Sequence, residues 1–276
     1  MIYPAMNTLW FWFDKATRRT LHGTPADCER KFEILVARGG WQGLEIFLTP
    51  ARLHPHQGFS RNFVRAFREL DYRSVHIGDA DPDFLDGRQT ARDLQRLHAV
   101  LQELETPRII LHAHHLEKNR TQRVAILRDC LPGTTILIEN NGFDAGWGYR
   151  PEDLLELFRS CPEFGLCLDI THVADFQELC LATFLAHPSL AGRIQEMHVS
   201  YSTHLLEQDP YAARGYMGYS PFHALFSVID EAPPREAVEL AQRVPVILEG
   251  IVPKEDTDCI FLAREKALLA DQGEMP

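Results

Sequence analysis

Long apolar runs are missing from this chain. Hydrophobic residues make up 45% of its 276 residues, yet no stretch approaches the eighteen or so consecutive apolar residues that mark a membrane span. Cysteine is sparse. Cys28, Cys130, Cys161, Cys167, Cys180 and Cys259 are scattered without a C-x-x-C pair, which reads as buried, reduced thiols in a cytoplasmic protein. Positive charge is in deficit, with 28 Lys and Arg against 39 Asp and Glu, a net charge of −11. That argues against a broad nucleic-acid footprint, although a local basic patch or bound cations can reverse the field inside a cleft. Met1 to Phe13 has neither the basic start nor the small-residue cleavage site of a signal peptide. No G-x-G-x-x-G follows the first apolar run and no phosphate loop occurs, so the nucleotide-binding α/β folds lose support. No linker, composition break or low-complexity segment divides residues 1–276, which are expected to form one domain.

What the chain does have is a regular alternation of short apolar runs with helical patterns. Strands are expected at Asn7–Phe13, Gly43–Leu48, Ser74–Ile77, Arg108–Ala113, Thr135–Glu139, Gly165–Asp169, Ile194–Ser200 and Pro245–Gly250. Between them, Thr24 and Pro25 have the types of an N-cap and first-turn residue for a helix through Arg38, ended by Gly39-Gly40. Leu94, Leu97, Leu101 and Leu104 repeat at three- and four-residue spacing, the signature of one buried helical face. Further helices are expected at Ser60–Leu70, Lys118–Cys130, Pro151–Ser160, Asp175–His187, Pro234–Arg243 and Asp256–Leu269. Strands alternating with helices imply parallel pairing, and eight such units at this length predict a closed α/β (β/α)8 TIM barrel. An open doubly wound sheet is the alternative.

The ends of these strands carry the chemistry. Ile136-Leu137-Ile138 runs into Glu139, Leu166-Cys167-Leu168 into Asp169, Met197 into His198, and Val246-Ile247-Leu248 into Glu249. A charge at the end of a buried parallel strand is costly unless something pairs with it. In a barrel all C-terminal strand ends open on one mouth, so four consecutive staves can bring Glu139, Asp169, His198 and Glu249 together. Any one acid alone is more often a salt-bridge partner; four in succession suit a divalent ion such as Mn²⁺, Zn²⁺, Co²⁺ or Mg²⁺. His76 and His112 end the third and fourth strands beside them. With Glu139 bridging they form a candidate second metal site, since paired ions about 3.5–4 Å apart commonly share a carboxylate. The alternatives for His76 and His112 are substrate hydrogen bonding or a satisfied core role. Strand alternation aims His114 with His112 and turns His115 away. His172 and His223 lie in loops at the mouth and can bind substrate or a third ion. Trp147 reads as a substrate wall or a packed loop anchor. In the run Trp10-Phe11-Trp12-Phe13, alternation separates the tryptophans from the phenylalanines, so that one pair fills the core or stacks on a sugar.

At these residues the sequence resembles the xylose-isomerase-like TIM-barrel superfamily, which includes sugar isomerases, epimerases and endonuclease IV. The segments are Ile136-Leu-Ile-Glu-Asn140, Leu166-Cys-Leu-Asp-Ile-Thr-His172, Met197-His198 and Ile247-Leu-Glu-Gly250, with Val75-His76 and Leu111-His112 in support. The resemblance implies that Glu139, Asp169, His198 and Glu249 hold the divalent metal. In the epimerases the matching glutamates also exchange a proton with substrate. Two positions depart from the pattern. Ser200 stands where many members have an acid two residues after the histidine. In Tyr219-Ser220-Pro221-Phe222-His223, Pro221 replaces the aspartate of the endonuclease Asp-x-His. Of the residues that would grip DNA, only Arg52 is a candidate.

Three functions are therefore carried forward. In the first, a metal-dependent isomerase or epimerase of a small sugar-like substrate stabilises an enediolate, with Glu139 and Glu249 exchanging the proton and His172 orienting a hydroxyl. The second is a zinc-dependent phosphodiester hydrolase of the abasic-site endonuclease type, using His76 and His112. The third is a non-catalytic barrel scaffold. A homo-oligomer is compatible with all three.

Overall fold

The structure, a computed structural model, describes residues 1–13, 15–53, 58–78, 85–86, 89–216 and 223–270. Ten strands occur among them: β1 (Ile2–Pro4), β2 (Gly43–Leu48), β3 (Tyr72–Ile77), β4 (Arg108–His112), β5 (Thr135–Glu139), β6 (Gly165–Asp169), β7 (Ile194–Val199), β8 (Tyr201–Ser202), β9 (His223–Ala224) and β10 (Val246–Leu248). Eight pair in parallel in the order β1-β10-β7-β6-β5-β4-β3-β2. The two edge strands meet through a parallel bridge from Ala5 to Glu45, bringing the sheet round into a barrel. The open doubly wound alternative is thereby set aside. Strands β8 and β9 form a separate antiparallel ribbon over the mouth-side loops.

Parity along the strands decides what each face does. Leu44, Ile46, Leu48, Val75, Ile77, Ile109, Leu111, Ile136, Ile138, Leu166, Leu168, Met197, Val199, Val246 and Leu248 all join the apolar core shared with the helices. Each fully buried side chain of this kind contributes about 1.5–3 kcal/mol. The alternate positions face the barrel interior, where only small apolar clusters form: Ile110 with Leu137 and Cys167, and Tyr3 with Ala5 and Ile247. The other interior positions include Phe47, which stacks on His76, and a set of polar groups. Glu45, Ser74, His76, Glu139, Asp169, Glu196 and His198 are all buried. The helix-side core supplies the stability that lets the inner face carry this much charge.

The helices follow their caps. Thr24 accepts from the Asp27 amide with Pro25 in the first turn of Pro25–Phe32, and a π-helical stretch Glu33–Arg38 carries the helix on to Gly39. Ser60 caps Arg61–Arg68. Thr90–Glu103 buries Leu94, Leu97 and Leu101. Arg120–Cys130, Pro151–Ser160, Arg235–Ala241 and Ile260–Ala270 stand close to their expected places.

Two expectations are corrected. The first strand is Ile2–Pro4, and Met6–Trp12 forms 3-10 turns. The Thr8 amide and hydroxyl both bond to the Ala5 carbonyl, folding the chain back on itself just after β1. The strand alternation assigned to Trp10, Phe11, Trp12 and Phe13 therefore does not apply. The helix expected over Asp175–His187 is replaced by short pieces at Ile170–Ala174, Leu181–Leu185 and Pro188–Ala191. The Asp169 carboxylate caps the amides of Thr171 and His172 and starts a turn directly after β6. Asp175 instead accepts from the Phe143 amide and the Ser202 hydroxyl. His54 and His56, the turn Asp79-Ala80-Asp81-Pro82, and Tyr219-Ser220-Pro221-Phe222 lie outside the described residues. No helix among the described residues is long and apolar enough to cross a membrane.

Candidate metal centre

Register assembles the site. Parallel pairing sets His112 of β4 beside Glu139 of β5, and Asp169 of β6 beside His198 of β7. On β10, Ile247 pairs with His198, so Glu249, two residues on, projects from the same inner face at the mouth. One ligand atom from each of Glu139, Asp169, His198 and Glu249 lies within 4.8 Å of the others. All four side chains are buried. His198 Nδ1 stands 3.5 Å from Glu139 Oε1 and 3.4 Å from Glu249 Oε2. These contacts are not hydrogen bonds. Glu139 Oε1, Asp169 Oδ2 and His198 Nδ1 are buried with no hydrogen-bond partner.

Each such orphan costs about 1–3 kcal/mol of desolvation. Three of them turned toward one point are what a cation would satisfy at once. Metal–oxygen and metal–nitrogen bonds of about 2.0–2.2 Å place opposing donors about 4 Å apart, so small side-chain rotations would close this cage on an ion. Three carboxylates and one imidazole fit a borderline-to-hard divalent ion.

The other oxygen of Glu139 belongs to a second donor set. His76 Nε2 lies 2.8 Å and His112 Nε2 3.2 Å from Glu139 Oε2. His76 Nδ1 donates to the Ile77 carbonyl at 3.1 Å, which directs Nε2 inward. His76, His112 and Glu139 thus form a second grouping with metal-ligand spacing. Glu139 divides its two oxygens between the two sets.

His172 and His223 sit at the rim. His172 Nδ1 donates to the Asn140 carbonyl at 2.8 Å, and His223 Nδ1 pairs with Ser200 Oγ at 2.9 Å. Their rings meet edge to face, 5.4 Å between centroids. Ser200, where the resemblance led one to look for an acid, bonds to Thr171 Oγ1 at 2.7 Å and steadies His223. The strand ends at His112, so His114 lies in a 3-10 turn and pairs with Asn141 Oδ1 at 3.1 Å instead of following His112 by strand parity. Trp147 packs partly buried beneath the Arg120 guanidinium, 5.0 Å above its ring, the arrangement of a loop anchor. Arg52 is committed to the His22 carbonyl at 2.6 Å.

The surrounding charges set each group's proton affinity. Burial pushes the Glu139 carboxyl up, but His112, His198 and His76 outweigh it and hold Glu139 well below the usual carboxylate range. Glu249 is likewise drawn down to about 2 against burial, chiefly by His198. Asp169 goes the other way: burial raises it, and Glu139 and Glu249 add to the effect despite His172. Burial alone would lower His198, yet Cys167 first, and then Glu249, Glu45 and Glu139, raise it well above an ordinary imidazole. His76 and His172 are raised in the same way by Glu139 and Asp169 respectively.

Sequence reasoning missed three contributors. Asn140 exchanges two bonds with the Asp169 backbone, at 2.8 and 2.9 Å, and so locks the β5–β6 strand ends together. Glu45 and Glu196 lie beneath the cage on the inner face. Glu196 was detectable in principle, because it shares strand parity with His198.

Comparison with family models and with curated proteins finds no match. Solved structures do match in fold. A D-tagatose 3-epimerase-like protein superposes with a TM-score of 0.57 at 14% identity, over 97% of this chain and 95% of that one. A Thermus thermophilus protein soaked with zinc chloride gives 0.56 at 18% identity, over 99% of both chains. Endonuclease IV from the same organism gives 0.54 at 17%, over 90% of this chain and 95% of that one. The chain has the fold of the xylose isomerase-like TIM barrels, whose matched members include enzymes of more than one reaction class.

Proposed function

We propose that this protein is a divalent-metal-dependent hydrolase of a phosphoester bond, working with two ions that share Glu139. The observation that carries the reading is the division of Glu139, with Oε2 facing His76 and His112 and Oε1 facing His198. A carboxylate placed between two donor sets is the arrangement of a bridging ligand, and two ions sharing one carboxylate are the common arrangement for phosphoester hydrolysis. Glu139, Asp169, His198 and Glu249 would hold one ion, and His76, His112 and Glu139 the other. Ions there would supply Lewis acidity, meaning a nucleophilic water at neutral pH and compensation of charge on the phosphoryl oxygens.

The protein's own groups do the rest. His172 and His223 are held by Nδ1, which leaves their Nε2 atoms for phosphoryl oxygens or a leaving group. The cage acids are buried, so little water competes for them. The net charge of −11 points to a small phosphodiester or a short stretch of strand instead of a long nucleic-acid track. The test is hydrolysis of bis(p-nitrophenyl) phosphate and of an abasic-site duplex at low salt by protein loaded with zinc or manganese. Turnover abolished by chelation supports the reading; no turnover of either substrate by protein carrying two ions refutes it.

A second reading has its own observation. Glu139 and Glu249 both face the cage beside His198 Nδ1, at 3.5 and 3.4 Å, so two carboxylates stand within reach of one substrate bound there. It corresponds to a sugar isomerase or epimerase with a single ion. Solvent deuterium appearing at a substrate carbon across a sugar panel would favour it. A protein that takes up no ion by elemental analysis would leave the scaffold reading.

A further inference from the structure

The metal cage uses one nitrogen of His198; the other points down into the barrel. His198 Nε2 lies 3.2 Å from Glu196 Oε1 and 3.5 Å from Glu45 Oε2. All three residues are within 1% of complete burial. Glu196 precedes His198 by two positions on β7 and so shares its inward face. Its second oxygen is tied from below: Tyr72 donates its hydroxyl to Glu196 Oε2, and Arg108 Nη1 stands 3.4 Å from the same atom. Tyr72 in turn stacks on Tyr3 at 5.0 Å. Glu45 is held separately, accepting from Ser74 Oγ at 2.9 Å.

Arg108 donates to the Tyr72 hydroxyl and Tyr72 to Glu196 Oε2, which leaves Oε1 as the acceptor, and Nε2, the ring nitrogen hydrogen-bonded to it, carries the proton. An imidazole that keeps its proton on Nε2 presents Nδ1 as the lone-pair donor, the atom orphaned in the cage. Metal-bound histidines characteristically give their second N–H to such an acceptor, which fixes both ring angle and tautomer. Nothing in the Arg108–Tyr72–Glu196 contacts requires the other oxygen of Glu196 to face an imidazole.

We propose that Glu196, anchored by Arg108 and Tyr72, is the positioning residue of the metal centre: it accepts the Nε2 proton of His198 in a hydrogen bond and thereby aims Nδ1 at the ion. This rests on the metal reading of the cage, and the test separates the two. Zinc affinity is measured by chelator competition in a His112→Ala background, which removes the neighbouring donor set. Glu196→Met loses the acceptor at similar volume and is expected to weaken zinc binding by about 10- to 100-fold. Glu196→Gln keeps an acceptor oxygen and is expected to stay within a few-fold of the parent. Equal affinity for the Met variant and the parent overturns the proposal.

The second readout needs no variant and no metal. In nitrogen-15 spectra of the wild-type protein, the His198 Nε2 proton is expected downfield and slowly exchanging, with and without zinc. A fast-exchanging or missing Nε2 proton overturns the assignment, even where Glu196→Met does not fold. A wild-type chain that binds neither zinc nor manganese refutes the metal reading, while the spectrum still judges the Glu196–His198 bond.

Discussion

Adding and stripping the metal is expected to change stability in a way that depends on pH with a definite sign. An ion that binds the folded cage and not the unfolded chain stabilises by about 2.7 kcal/mol at a hundred times its dissociation constant. For a chain of this size each kcal/mol is worth roughly 2–4 °C, so the melting temperature should rise by roughly 5–10 °C. The sign follows from His198. Its proton affinity in the folded protein is raised well above that of a free imidazole. In the metal-free protein its contribution is fully present below about pH 6.5 and lost as pH rises through the raised value. His76 and His172, also raised, act in the same direction. The metal needs Nδ1 without its proton. Each pH unit below the raised value therefore costs up to tenfold in affinity, about 1.4 kcal/mol. The metal-free protein should melt lower at pH 8.5 than at pH 6.5, and the gap between metal-loaded and chelator-treated protein should widen over that interval. Calorimetry at both pH values, with manganese and with chelator, measures it. A gap that stays constant or narrows with pH, or that survives in Asp169→Asn, would refute the cage as the binding site.

Other outcomes follow from single side chains. His76→Ala should reduce bound metal from two ions to one per chain by elemental analysis and lower phosphodiester turnover by at least about 100-fold, because the four-residue cage remains but the shared site is lost. Gly142→Ala would place a methyl group 2.7 Å from Asp175 Oδ2 and 2.9 Å from His172 Cδ2. The His172 ring must then shift, so turnover should fall by roughly tenfold, with metal content unchanged. Phe67 is fully buried in the ladder formed with Phe63 and Phe32. Phe67→Ala should cost about 3–5 kcal/mol in denaturant unfolding and leave zinc affinity alone; a loss of affinity there would mean that helix packing sets the cage geometry.

Much of the barrel was legible because parallel strands buried on both faces read as apolar runs, and helices such as Thr90–Glu103 repeat leucine at the spacing of one face. The strand Thr135–Glu139 and the helix Pro151–Ser160 stand at their expected bounds. The first strand was not legible. Ile2–Pro4 is only three residues long, too short for periodicity to register, while the aromatic run after it imitates a strand by composition alone. The broken helix after β6 failed for another reason. Asp169 serves as helix cap and candidate ligand together, and a cap that starts a turn inside the site is decided by tertiary contacts with Asn140 and β7.

The same division explains which site residues could be found. Glu139, Asp169, His198 and Glu249 each end an apolar run, where an unexplained polar group is conspicuous. Glu196 and Glu45 lie inside their strands, and a lone acid there looks like the solvent side of a half-exposed strand. Only closure of the sheet removes that solvent side. Once the barrel curls, an acid of His198's parity has water on neither flank and must be bonded or bear the cost of burial. Glu196 meets that demand with Arg108 and Tyr72 on one oxygen and His198 on the other. A strand reading that allowed for closure would have flagged Glu196 by its spacing of two from His198, since in a closed barrel parity with a ligand amounts to facing the same interior. Replacing Glu196 by an apolar residue would then be read out first in the ion held above it, and only second in the stability of the barrel.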